Sequence, residues 1–230
     1  MNILITRPIV QSRRFYSYLI RNFGNRVNII ISPVIKIKPF VVDIGLNQFD
    51  GIIFTSENAV KAFEKLDINT KKGIFCVGRQ TAKYAEFIGL SVSHTERDTT
   101  DLIAFLLKNK IQLRLLYLCG NNISVDLTKA LSTSLTSVYS KVIYEQVPMK
   151  LTREAIELLS QKTPLLVPIF SERSGCFLSK QFTKKMTSPR IAVCLSSQIA
   201  NNIAKNEYDK ILTSQNPDME SLIALLKEII

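Results

Sequence analysis

Tryptophan is absent from this 230-residue chain, histidine occurs once, and no apolar run approaches the roughly 20 residues that a membrane-crossing helix needs. The few glycines form neither a Gly-x-Gly-x-x-Gly turn after the first strand nor a Walker lysine loop, which argues against dinucleotide and phosphate-loop sites. The lone histidine, His94, follows a short strand in the polar stretch Ser93-His94-Thr95-Glu96-Arg97-Asp98 and reads as a surface-loop residue without a dyad partner. Triad catalysis and zinc hydrolysis therefore lack their usual residue. Cys76, Cys119, Cys176 and Cys194 are widely spaced in or beside apolar runs, with no zinc or redox spacing. They read as reduced, buried thiols of a cytoplasmic protein, and no metal site is expected. The opening Met1-Asn2-Ile3-Leu4-Ile5-Thr6-Arg7-Pro8 lacks a basic leader and a cleavage site, so it reads as a first strand.

Acidic residues are also scarce: 19 against 30 basic ones, a net charge of +11. Such an excess attracts something acidic, whether nucleic acid, an anionic membrane surface or a polyanionic metabolite, and charge alone does not choose among them. No basic run, basic amphipathic helix, aromatic stacking motif or recognition-helix signature stands out, so neither nucleic acid nor membrane is expected as a partner. A hydrophobic content of 46% with ordinary charge indicates a soluble, folded chain.

What is present is an alternation of short β-rich runs with helix-like segments. Strands are expected at 2–6, 27–31, 50–54, 73–77, 91–93, 113–119 and 137–143, and near 165–170, 190–195 and 209–213. Helices are expected at 9–22, 57–66, 79–88, 99–109, 123–134 and 152–160. That alternation predicts an α/β fold with parallel sheets covered by helices on both faces.

The second half echoes the first. Phe54-Thr55-Ser56-Glu57 returns as Phe170-Ser171-Glu172-Arg173, Val77-Gly78-Arg79-Gln80-Thr81-Ala82 as Leu195-Ser196-Ser197-Gln198-Ile199-Ala200, and Leu102-Ile103-Ala104 as Leu222-Ile223-Ala224. A domain-sized duplication accounts for this, at a period much longer than those of solenoids. Two extended, proline-bounded stretches, at 33–39 and 143–148, break the alternation and read as connectors. Crossing twice gives a discontinuous first domain, 1–35 plus 148–230, and an inserted second domain, 40–142.

Ligands of open α/β sheets bind at the carboxyl ends of strands, where helix N-termini present unpaired N–H groups. Thr55, Ser56, Gly78, Arg79, Gln80, Thr81 and Asn121 stand at such places in the first half of the sequence. Ser171, Ser174, Ser196 and Ser197 do so in the second. Each hydroxyl alone is explained as a helix cap. The whole set suits an anion rich in carboxylates or phosphates. Arg7 and Arg79 adjoin strand ends and are candidate cations.

The opening Leu4-Ile5-Thr6-Arg7-Pro8, the turns at Phe54-Thr55-Ser56-Glu57-Asn58-Ala59-Val60 and Val77-Gly78-Arg79-Gln80-Thr81-Ala82, Tyr144 after a hydrophobic strand, Phe170-Ser171-Glu172-Arg173-Ser174-Gly175 and the terminal Asp218-Met219-Glu220-Ser221-Leu222 resemble, in order and spacing, the uroporphyrinogen-III synthase family. The resemblance implies a cofactor-free lyase of heme synthesis that closes hydroxymethylbilane, a linear tetrapyrrole with eight carboxylates, into a ring with its terminal pyrrole inverted; a monomer is expected, since the duplication already supplies two halves for one cleft. It also implies two similar α/β/α domains joined by a two-stranded connector, with the active site in the cleft between them. Tyr144 matches the family's connector tyrosine and is the expected acid, since a phenol with a pKa near 10 is protonated at neutral pH. Tyr117 and Tyr139 read as core or strand residues. Three positions depart from the family pattern: Cys119 stands where arginine is frequent, Ser196-Ser197-Gln198-Ile199-Ala200 where Gly-x-Thr-Thr-Ala is frequent, and Glu172 where proline is common. The alternative is a non-catalytic two-domain α/β module that closes on an anionic small molecule.

Overall fold

The computed structural model describes residues 1–110 and 112–230. The chain runs β1 (Asn2–Ile5), α1 (Ile9–Phe23), β2 (Asn28–Ile31), β3 (Ile35–Pro39), β4 (Gly51–Phe54), α2 (Glu57–Glu64), β5 (Gly73–Val77), α3 (Arg79–Phe87), β6 (Val92–Glu96) and α4 (Thr99–Lys108). It continues through β7 (Arg114–Gly120), α5 (Leu127–Ala130), β8 (Ser137–Pro148), α6 (Arg153–Leu159), β9 (Leu165–Ile169), α7 (Glu172–Ser179), β10 (Arg190–Cys194), α8 (Ser197–Asn202), β11 (Lys210–Thr213) and α9 (Met219–Ile229). This is the expected α/β alternation with two parallel-dominated sheets. Among the described residues, no helix is long and apolar enough to cross a membrane.

Two compact units emerge: Met1–Lys36 with Val147–Ile230, and Ile37–Gln146. The first holds a sheet in the order β11-β10-β9-β1-β2. Its strand β1 reads Asn-Ile-Leu-Ile, and Ile3, Leu4 and Ile5 are all fully buried, as a strand covered on both faces requires. Helix α1 turns Ser12, Phe15, Leu19 and Phe23 inward at spacings of three and four, and Phe15, Leu19 and Phe23 join Ile3 and Ile5 in a cluster with Leu222 and Leu226 of α9.

The second unit holds the order β3-β8-β7-β4-β5-β6. Side chains alternate along its strands. Ile52, Phe54, Ile74, Cys76, Leu116 and Leu118 enter one core with α2 and α3, while Ile53, Phe75, Leu115, Tyr117 and Cys119 enter another with Leu102 and Leu106 of α4. With β4 to β8 matched to β9, β10, β11, β1 and β2, the two orders coincide apart from the extra edge strand β3.

That match corrects the echo by one residue. Ser56 caps α2 and Ser171 caps α7, so Phe54-Thr55-Ser56-Glu57 stands opposite Ile169-Phe170-Ser171-Glu172. Three further expectations change. The helix expected over 123–134 shrinks to Leu127–Ala130, because Ser134 Oγ donates to Leu131 O and accepts from Thr136 N–H, giving this backbone non-helical partners. The strand expected to end at 143 continues to Pro148, and β3 lies beside it. Phe40 N–H bonds Ile143 O and Met149 N–H bonds Val34 O, so these two strands run in opposite senses. His94 belongs to β6 instead of a loop, stacks on Phe105 at 3.5 Å between centroids, and bonds Glu96 at 2.8 Å, two residues along the same face.

Helix α7 lies so close to its neighbours that a Cβ on Gly175 would sit 2.6 Å from Ile203 Cγ2 and 3.2 Å from Ile169 Cγ2. Gly175→Val should therefore lower stability by about 2–3 kcal/mol through overpacking, read as a lower urea midpoint with an unchanged slope.

Candidate functional site

Each sheet has one place where the chain's direction of travel across it reverses, between β7 and β4 in one unit and between β1 and β9 in the other. Such switch points open a crevice at the carboxyl ends of the strands. Parallel pairing brings helix N-termini to the same edge, so the residues after each strand decide what that edge offers.

At the β4/β7 switch point, Thr55 follows β4 and its hydroxyl lies 2.9 Å from the Tyr117 hydroxyl. The Tyr117 phenol is pushed up to about 12, chiefly by burial; the Thr55 hydrogen bond opposes the rise, and nearby Cys119, Tyr144 and Asp126 add to it. It stays protonated at neutral pH. Tyr144, only 4% exposed, enters the other core, with Phe54 and Leu118, and lies against Gly120 at the end of β7. Asn121 follows: its N–H donates to Tyr144 O at 3.0 Å, and its Oδ1 accepts from Gln146 N–H at 3.2 Å and from Asn122 Nδ2 at 2.9 Å.

Neighbouring strand ends supply the other expected residues of this unit. Ser56 Oγ accepts from Asn58 N–H as the cap of α2. Buried Glu57, next along, is neutralised by Lys61 at 2.6 Å. Gly78 opens α3 and donates its N–H to Glu96 O; Arg79 and Gln80 are exposed, and Thr81 is buried.

The β1/β9 switch point is built from other groups. The Arg7 guanidinium lies over the Phe170 ring at 3.8 Å, and Ser12 Oγ donates to Arg7 O at 2.7 Å. Ser171 caps α7 by accepting from Ser174 N–H, and the two serine hydroxyls lie 2.8 Å apart. Ser196 caps α8 through Ile199 N–H, and Ser197 is exposed beside it. Within each unit, therefore, the expected residues gather at the carboxyl edge of the sheet, with Ser56, Ser171 and Ser196 engaged as caps.

Sequence reasoning passed over the Thr55–Tyr117 pair because Tyr117 read as a core residue. Gly120 reads from the sequence only as one of the small strand-end residues, although a glycine ending a strand signals close approach of another group. Among the described residues, no group of three His, Cys, Asp or Glu side chains could hold a metal ion.

A family model described as Uroporphyrinogen-III synthase HemD matches residues 15–224. The chain belongs to the uroporphyrinogen-III synthase family. The solved uroporphyrinogen-III synthetase of Helicobacter pylori 26695 resembles it with a TM-score of 0.71 at 15% identity, covering 100% of this chain and 99% of that one. A mutant uroporphyrinogen III synthase from the extremely thermophilic bacterium Thermus thermophilus gives a TM-score of 0.50 at 14% identity, with 99% and 98% covered. At such identities the likeness is one of fold. No curated protein sequence matches. The family's members are cyclising lyases of porphyrin synthesis with a tetrapyrrole substrate, and a non-catalytic binding module is not favoured.

The Tyr117 environment has a pH signature. Its raised pKa means that the fold favours the neutral phenol, a contribution intact below about pH 10 and lost as pH rises toward 12. Urea unfolding at several alkaline pH values should show Tyr117→Phe losing less stability over that window than the parent.

Proposed function

We propose that this chain binds hydroxymethylbilane through the strand-end donors of both units and closes it to uroporphyrinogen III, with loss of water and inversion of the terminal pyrrole. Family membership supports the reaction, and the gathering of helix N-termini at the carboxyl edge of each sheet supports the mode of binding. Carboxylates take hydrogen bonds from N–H groups near Thr55, Ser56, Gly78, Arg79, Gln80, Thr81, Asn121, Ser171, Ser174, Ser196 and Ser197. Because Ser56, Ser171 and Ser196 use their hydroxyls as caps, the backbone carries much of this binding at their helices. The excess of positive charge favours the polyanion from a distance.

The bilane can close without an enzyme to the uninverted ring, so the protein's main task is to fold it for attack at the substituted position. Orientation is then the dominant catalytic term. The C–O bond of the hydroxymethyl group breaks, Tyr144 gives its proton to the departing oxygen, and water leaves. Attack by the substituted α-carbon of the terminal pyrrole forms a spiro intermediate; the older methylene bond to that carbon then breaks, and the freed methylene bonds to the pyrrole's unsubstituted α-carbon, which carries the proton to be lost. The proton released as the rings regain aromaticity restores the phenol. No step needs a cofactor. In this reading the two units act as the two domains of one cytoplasmic monomer, linked by the strands at 33–39 and 143–148.

Supplying hydroxymethylbilane, oxidising the products and resolving the ring isomers tests the reaction: isomer III is expected, and isomer I alone, as in the enzyme-free control, would overturn it. Tyr144→Phe should lower turnover by about 100-fold, the scale of a lost general acid. Thr81→Ala and Ser171→Ala should each lose less than about tenfold, because backbone donors remain.

A further inference from the structure

The pairing of β7 with β8 slips where Tyr144 enters: Cys119 stands opposite Val142, but Gly120 stands opposite Tyr144, so Ile143 has no counterpart on β7. A regular strand would send successive side chains to opposite faces. Here Ile143 and Tyr144 are both buried, at 0% and 4% exposure, whereas Val142 is 39% exposed. Such an inserted residue re-aims the side chain that follows it.

The re-aimed ring lies with its tip against Gly120. A Cβ on Gly120 would meet Tyr144 Cζ at 2.6 Å, Cε2 at 2.7 Å and the hydroxyl oxygen at 2.9 Å. All three are ring-tip atoms, so any side chain at 120 pushes the hydroxyl end. The backbone that carries the ring is tied just beyond, where Asn121 bonds Tyr144 O and Gln146 N–H.

We propose that Gly120, with the register slip at Ile143 and the bonds of Asn121, positions the Tyr144 hydroxyl for proton donation. The catalytic part of this inference rests on Tyr144 being the acid; the steric part does not. An alanine methyl would displace the ring by about 1 Å to restore ordinary contact. A general acid must lie within hydrogen-bond reach of its target, and a misplacement of about 1 Å can cost on the order of 100-fold in rate.

Two measurements separate these parts. In a stability cycle, Gly120→Ala should lower the urea midpoint when Tyr144 is present and leave it unchanged in a Tyr144→Leu background. An equal penalty in both backgrounds overturns the steric claim whatever the catalysis. In kinetics, Gly120→Ala should lower kcat by about tenfold or more with KM within about threefold. Added to Tyr144→Phe, it should lower kcat by less than about threefold further, because both changes remove one function. Retention of parental kcat by Gly120→Ala, while Tyr144→Phe loses it, overturns positioning and leaves the acid standing. Parental turnover in Tyr144→Phe overturns the acid, and the stability cycle still decides the contact.

Discussion

Parallel pairing is the constraint on which the rest depends. When β1 aligns with β2 and β9, and β4 with β5 and β7, their carboxyl ends fall on one edge of a sheet, and the helices that follow must start there. Every such start leaves N–H groups without intrahelical partners. A helix cap satisfies some of them, as Ser56, Ser171, Ser196 and Asp98 do, and the remainder confer anion affinity on the edge. An affinity of that kind rests on backbone geometry and needs no conspicuous basic motif in the sequence.

Duplication supplied this edge twice, but the copies diverged where the direction of travel reverses. Beside β9, a guanidinium lies on an aromatic face, a fixed cation suited to a carboxylate. The β4/β7 switch point instead gathers two phenols and a threonine hydroxyl, groups that can donate a proton or a neutral hydrogen bond. At the residue after the first of these strands the copies differ outright: Thr55 in one, Phe170 in the other. The two switch points therefore present different chemistry, a guanidinium over a ring in one and neutral hydroxyls in the other.

The alternation of strand and helix was legible because periodicity and turn residues are local. Capping residues were legible for the same reason, and Ser56, Ser171 and Ser196 each start a helix where expected. The failures share a different cause. The segment 123–134 reads as helical, yet the Ser134 hydroxyl offers the backbone at 131 and 136 other partners. His94 looked like a loop residue until β6 extended to Glu96 and an aromatic from α4 met its ring. The echo fell one residue out of step because Phe54 resembles Phe170, whereas the helix caps fix the true correspondence with Ile169.

Tyr144 shows why a residue's identity can be readable when its orientation is not. Alternation counted from buried Ile143 would put it on the opposite, Val142-like face and leave the phenol among solvent-exposed positions. The slip opposite Gly120 cancels that alternation, and pairing register depends on two strands at once, so neither strand's sequence contains it. The glycine is the readable half of the device: it marks a close approach without naming what approaches. Burial of the phenol follows from both halves together. The register slip therefore does more than shape the core: it sets which side chain lies against the end of β7.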